Sequence, residues 1–175
     1  MNIPNRLTIL RILLVPVCLL LAGYGYNIPA AIVFAAACLT DTLDGYIARK
    51  KKLITNFGKF ADPIADKILV LSMMIVLCCE QLLPVWLPVI LVFRELLVDG
   101  LRMVAAEQGR VVAAGWSGKI KTTSQMVLII CALVLGYNTF ILVFSIVVAA
   151  LTLYSGIEYF WKLRDLFKKD LGIHS

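Results

Sequence analysis

Histidine is almost missing from this sequence: the one copy, His174, sits one residue from the C-terminus. That placement argues against histidine acid–base chemistry and against a His-ligated zinc site. Cysteine is present but unorganised. Cys18, Cys38, Cys78, Cys79 and Cys131 are odd in number and all lie in apolar stretches. They offer neither a disulfide framework nor a metal spacing, and read as small hydrophobes. Charge is also scarce, at 16% of residues. Residues 23–27, 80–83 and 136–139, which join apolar segments, hold no lysine or arginine. No internal repeat or low-complexity stretch interrupts the chain.

What fills the sequence instead is apolar. Hydrophobic residues make up 61% and the mean hydropathy is +0.92, beyond the roughly half apolar content of a soluble domain. The 175 residues are read as a single integral membrane domain over 1–175, all-α. Segments at about 7–24, 28–48, 60–79, 84–107, 120–136 and 139–161 are each long enough to cross roughly 30 Å of hydrocarbon. This predicts a bundle of six transmembrane helices. The start, NIPNRLTILR, places Asn5, Arg6, Thr8 and Arg11 on a polar stripe, so a short amphipathic lead-in is expected there. The first segment is read as a span rather than a cleaved signal, because no small-x-small cleavage site follows it.

The basic residues cluster in the remaining joins and the tail: Lys50, Lys51, Lys52, Lys59, Arg110, Lys119, Lys121, Lys162, Arg164, Lys168 and Lys169. By the positive-inside rule both termini face the cytoplasm. The net charge of +6 then reflects loops beside an anionic leaflet, and no nucleic-acid partner is expected.

Against this background the stretch DTLDGYIARKKKLITNFGKFADPIAD stands out. Asp41 and Asp44 are three apart, Asp62 and Asp66 four apart. Either spacing puts both carboxylates of a pair on one helix face, one turn apart. They sit at the ends of apolar runs, where a bare carboxylate is costly unless a cation meets it. Any one aspartate could be a solvated helix cap. Four together, with Gly45 and Gly58 beside them and Arg49 flanking, suit hard divalent cations such as Mg²⁺ or Mn²⁺.

Further along, Lys67, Arg94, Glu95, Asp99 and Arg102 interrupt membrane-like sequence. An arginine or lysine near a helix centre costs about 2.5–3.5 kcal/mol to insert, so these should face the bundle interior or a wet cavity. Two readings stand side by side. The arginines pair with Glu95 or Asp99 and hold helices together, or Arg94 and Arg102 bind an anion with Lys119 and Lys121. Ser117, Thr122, Thr123 and Gln125 are further candidate ligands, although hydroxyls at a helix start are commonly caps.

The pattern Asp41-x2-Asp44-Gly45-x2-Ala48-Arg49-x8-Gly58-x3-Asp62-x3-Asp66 resembles the signature of the CDP-alcohol phosphotransferase family, with every fixed position present. NIPNRLTILRI, FGKFADPIADK, FRELLVDGLR and GKIKTTSQ are similar to the branch whose acceptor is sn-glycerol 3-phosphate. The resemblance implies a bacterial inner-membrane enzyme, with its active site facing the cytoplasm, that moves a phosphatidyl group from CDP-diacylglycerol to that acceptor, releasing CMP. It implies two divalent cations held by Asp41, Asp44, Asp62 and Asp66, with Asp66 also the general base. CDP-diacylglycerol would meet Asp41, Gly45, Ala48, Arg49, Gly58 and Asp62. The acceptor phosphate would meet Arg94, Arg102, Lys119 and Lys121, and a homodimer is expected. The competing acceptors are inositol phosphate and phosphatidylglycerol. A divalent-cation transporter is the rival of another class, since intramembrane carboxylates also mark ion paths.

Overall fold

The computed structural model describes the backbone of residues 3–50, 56–109 and 115–164, and the side chains of 8–40, 61–62, 64–109 and 115–164. Six helices follow in order: α1 (Ile3–Gly23), α2 (Asn27–Lys50), α3 (Asn56–Cys79), α4 (Trp86–Glu107), α5 (Trp116–Leu135) and α6 (Thr139–Leu163). No strand occurs among the described residues. Each expected apolar segment corresponds to one helix. Two of them, α5 and α6, are by themselves long and apolar enough to cross a membrane. In α1 and α2 the apolar stretches described are Thr8–Gly23 and Asn27–Thr40, while α3 and α4 carry the charges that interrupt their sequence.

The helix ends follow from local chemistry. At the end of α3, Gln81 takes a left-handed φ of 57°. This lets Gln81 N–H donate to Cys78 O at 3.1 Å and Leu82 N–H to Leu77 O at 2.8 Å, which satisfies carbonyls the helix would leave open. Pro84 follows, where the helix has already stopped. Gly136, with φ of 67°, ends α5 in the conformation glycine adopts without steric cost. Two residues later Asn138 caps α6, its Oδ1 accepting from Ile141 N–H at 2.9 Å. Pro88 lies in the first turn of α4, where a missing N–H costs little. Pro63 lies further inside α3 because that helix begins at Asn56.

The expected lead-in is not a separate piece. Residues 3–23 form one continuous helix, and Thr8 and Arg11 are buried rather than spread along an interface. The polar stripe turns inward because α3, against which α1 packs, supplies a partner at Asp62.

Packing pairs α1 with α2 and α3, α4 with α6, and α5 with α6 and α2. Ala22 of α1 and Ala30, Ala31 and Ala37 of α2 are buried, and such small residues let helix backbones approach closely. Phe34, Met73, Met74, Leu77, Leu128, Ile129 and Leu133 belong to the main apolar cluster, to which Leu87 and Leu91 of α4 and Ile141 and Val148 of α6 also contribute. A second, smaller cluster joins Val98, Leu101 and Ala105 of α4 to Tyr159 and Leu163 of α6. The outside is unusually apolar: Ile32, Leu39, Val89, Phe93, Leu96 and Ile157 are each more than 60% exposed. Charged side chains inside and large hydrophobes outside is the distribution a lipid-facing protein requires.

Candidate active site

Asp62 and Asp66 lie one turn apart on α3, alternating with the buried Ala61 and Ala65. Methyl groups at 61 and 65 leave room for neighbouring helices to close around this turn. Thr8 of α1 donates from Oγ1 to Asp62 Oδ1 at 2.5 Å, fixing one carboxylate oxygen. Asp41, Asp44, Gly45, Ala48 and Arg49 belong to α2, and Gly58 to α3; their side chains lie outside the described residues. Among the described residues no group of three or more His, Cys, Asp or Glu side chains is placed to hold a metal ion.

Asp66 also lines a cavity of about 140 Å³ formed by α3, α4, α5 and α6. Its polar wall consists of Asp66, Lys67, Arg94, Glu95, Asp99, Arg102, Lys121, Thr122, Gln125 and Tyr159. The charges are threaded together. Lys67 pairs with Asp99 and stands 3.7 Å from Glu95. Lys121 contacts Glu95 directly, and Arg94 Nη1 donates to Glu95 Oε1 at 3.3 Å.

Arg94 is held at a second point, where its Nε donates to Ser155 Oγ of α6 at 3.1 Å. Residue 156 beside it is glycine, and a Cβ at that position would stand 3.1 Å from Arg94 Cγ, a tight approach that would press on the arginine stem. Arg102 is held differently, its Nη2 donating to Tyr159 OH at 2.6 Å. The buried Arg102 Nε has no hydrogen-bond partner among the described residues.

Three of the four basic residues proposed from sequence therefore share one cavity: Arg94, Arg102 and Lys121. Lys119 is not among the lining residues. It is exposed, and its ammonium lies 4.9 Å from the ring centroid of Trp116. Both sequence readings of the buried charges have a counterpart. Arg94 and Lys121 are ion-paired to Glu95 and also face the cavity, whereas Arg102 pairs with a phenol and not with the expected carboxylate.

Sequence reasoning missed Tyr159 and Ser155, which stand in the apolar run of α6 with no local signal of a task. Gln125, which donates from Nε2 to Thr152 Oγ1 at 3.3 Å, was visible only as one of several polar residues opening the fifth segment.

A small recess walled by guanidinium and ammonium groups, with the Asp66 carboxylate at its edge, is suited to a compact anion next to a proton acceptor. The model of the CDP-alcohol phosphatidyltransferase family matches residues 1–153. The chain belongs to that family.

Among other CDP-alcohol phosphatidyltransferase relatives, it is similar to the CDP-diacylglycerol–glycerol-3-phosphate 3-phosphatidyltransferase of Bacillus subtilis, at 42% identity with 95% of this chain and 97% of the relative covered. The proteins of the same name from Haemophilus influenzae and Escherichia coli (strain K12) are each 38% identical. The first match covers 90% of this chain and 91% of the relative, the second 72% and 73%.

Proposed function

We propose that this CDP-alcohol phosphatidyltransferase moves the phosphatidyl group of CDP-diacylglycerol to sn-glycerol 3-phosphate, giving phosphatidylglycerophosphate and CMP. The observation that carries this reading is the convergence of Arg94, Arg102 and Lys121 on one cavity that Asp66 also lines. A phosphorylated acceptor brings anionic oxygens that their remaining N–H donors can bind; a neutral alcohol does not.

In this scheme the acceptor's phosphate rests against Arg94, Arg102 and Lys121, with Lys119 adding to the local positive potential. Its free hydroxyl then points toward Asp66. The hydroxyl oxygen attacks the phosphorus that carries the diacylglycerol, the bond from that phosphorus to the CMP oxygen breaks, and the hydroxyl proton passes to the Asp66 carboxylate. Asp41, Gly45, Ala48, Arg49, Gly58 and Asp62 accommodate the nucleotide end of the lipid donor.

Asp62 and Asp66 fit a hard cation: they are oxygen donors on one helix face, one of them steadied by Thr8. With Asp41 and Asp44 they would hold two Mg²⁺ or Mn²⁺ ions. Such ions supply charge neutralisation on the departing pyrophosphate oxygen and lower the pKa of a nearby hydroxyl.

The same reading makes residues 1–175 one domain of six spans in the inner membrane. Both termini and the cavity are on the cytoplasmic side, and the working form is a homodimer. Trp116 with Lys119 and Trp161 with Arg164, stacked at 4.9 and 4.8 Å, give α5 and α6 aromatic–cation anchors of the kind found at a membrane–water boundary. The deciding experiment is an acceptor panel with purified protein and labelled CDP-diacylglycerol. CMP release with sn-glycerol 3-phosphate is expected. Release with inositol phosphate or phosphatidylglycerol alone, or divalent-ion flux in proteoliposomes without CMP, would replace this assignment.

A further inference from the structure

Glu95 has no task in that scheme, yet it has the densest set of charged neighbours in the cavity. It is 8% exposed and meets cations carried by different helices: Lys121 of α5 in direct contact, Arg94 of α4 at 3.3 Å and Lys67 of α3 at 3.7 Å. A buried carboxylate with one cation is balanced. Here one carboxylate serves several, and Asp99 takes up only Lys67 among them. The cavity wall holds four cations (Lys67, Arg94, Arg102, Lys121) against three carboxylates (Asp66, Glu95, Asp99), which leaves one positive charge in surplus for an incoming anion.

We infer that Glu95 is a positioning residue for the acceptor's phosphate: it fixes Lys121 and Arg94 at the cavity wall before the phosphate arrives. Without Glu95, mutual repulsion would drive the two cations apart, and the long lysine stem would be free to swing. With it, both are held at defined points, Arg94 by Glu95 and Ser155 together. Lys121 keeps further N–H donors for the incoming oxygens, since an ammonium carries three. Ordering is then completed in the fold rather than at binding, and this is how preorganisation raises affinity. The inference rests on the proposed phosphorylated acceptor. It adds a residue that acts only through its neighbours.

A plain helix staple would make a different prediction, because losing one loosens the bundle and affects both substrates alike. Steady-state kinetics on purified, detergent-solubilised enzyme separate the two. Glu95→Gln preserves shape and removes charge. It is expected to raise the acceptor KM about tenfold or more while moving the CDP-diacylglycerol KM less than about twofold.

Lys121→Met should show the same split. The double variant Glu95→Gln/Lys121→Met should raise the acceptor KM by clearly less than the product of the two single effects, the remainder reflecting Glu95's hold on Arg94. KM values that rise together, or single effects that multiply in the double variant, would overturn the role.

Should Glu95→Gln not survive extraction, the same cycle with Glu95→Asp keeps the charge but withdraws it by one methylene. Additivity there overturns the proposal equally. Wild-type enzyme with sn-glycerol 3-phosphate is the control. No CMP release in that arm removes the proposed reaction, whereas normal wild-type turnover with additive variants removes only the role of Glu95.

Discussion

The apolar cluster, to which all six helices contribute, and the charged cavity among α3, α4, α5 and α6 share helices, yet hold them together by opposite means. In the cluster, Cys18, Ala22, Ala30, Phe34, Met73, Leu77 and Ile129 are fully buried. In a membrane the lipid is as apolar as leucine, so such a cluster is favoured by close fit and small residues rather than by escape from solvent. In the cavity Arg94, Glu95 and Lys121 are almost as deeply buried, at 7%, 8% and 5% exposure. Those groups are tolerated only through partners, because a lone buried charge is strongly unfavourable. Under the proposed function the difference separates two tasks: the cluster sets how firmly the helices stay together, and the cavity sets what they bind.

Three substitutions test that division, in falling order of kinetic effect. Asp66→Asn keeps the shape of the cavity wall but removes the proton acceptor. Turnover should fall about 10²–10⁴-fold, the usual contribution of a positioned base, with CDP-diacylglycerol binding still measurable. Wild-type-like turnover would refute the assignment.

Arg102→Ala deletes a cation whose Nε has no partner among the described residues. It should raise the acceptor KM about 10–100-fold, and that of CDP-diacylglycerol much less, as measured by initial rates. Equal increases would count against a dedicated phosphate seat.

Leu77→Ala lies wholly in the cluster. A leucine-to-alanine change in a packed site costs about 2–5 kcal/mol, so the melting temperature in detergent should drop clearly. Both KM values should stay within about twofold. A changed ratio between them would show that the two regions are not separable.

Much of this was readable from residue order. The helices fall within a few residues of the apolar segments because a span of hydrocarbon demands a minimum run of such residues. Turns such as the one at Gly136 carry their usual residues. Arg94, Arg102 and Lys121 could be singled out because a charge inside an apolar run has few bland explanations.

What was not readable depends on contacts across the fold. Thr8 and Arg11 looked like the polar side of a surface helix, and only the presence of α3 beside α1 turns that side inward. Lys119 and Lys121, two apart on one helix, point to different faces: Lys121 lines the cavity, and Lys119 lies over the Trp116 ring. Tyr159 and Ser155 are uncharged residues in a long apolar helix. Their importance comes from Arg102 and Arg94, which are more than fifty residues away in sequence.

The missing side chain at Gly156 has a mechanical result. It lets the backbone of α6 rest against the aliphatic stem of Arg94, while the preceding residue, Ser155, grips the same arginine's Nε. The guanidinium is thereby yoked to α6 although it grows from α4. Any sliding of one helix along the other would tug first on the guanidinium that the proposed scheme sets against the acceptor's phosphate.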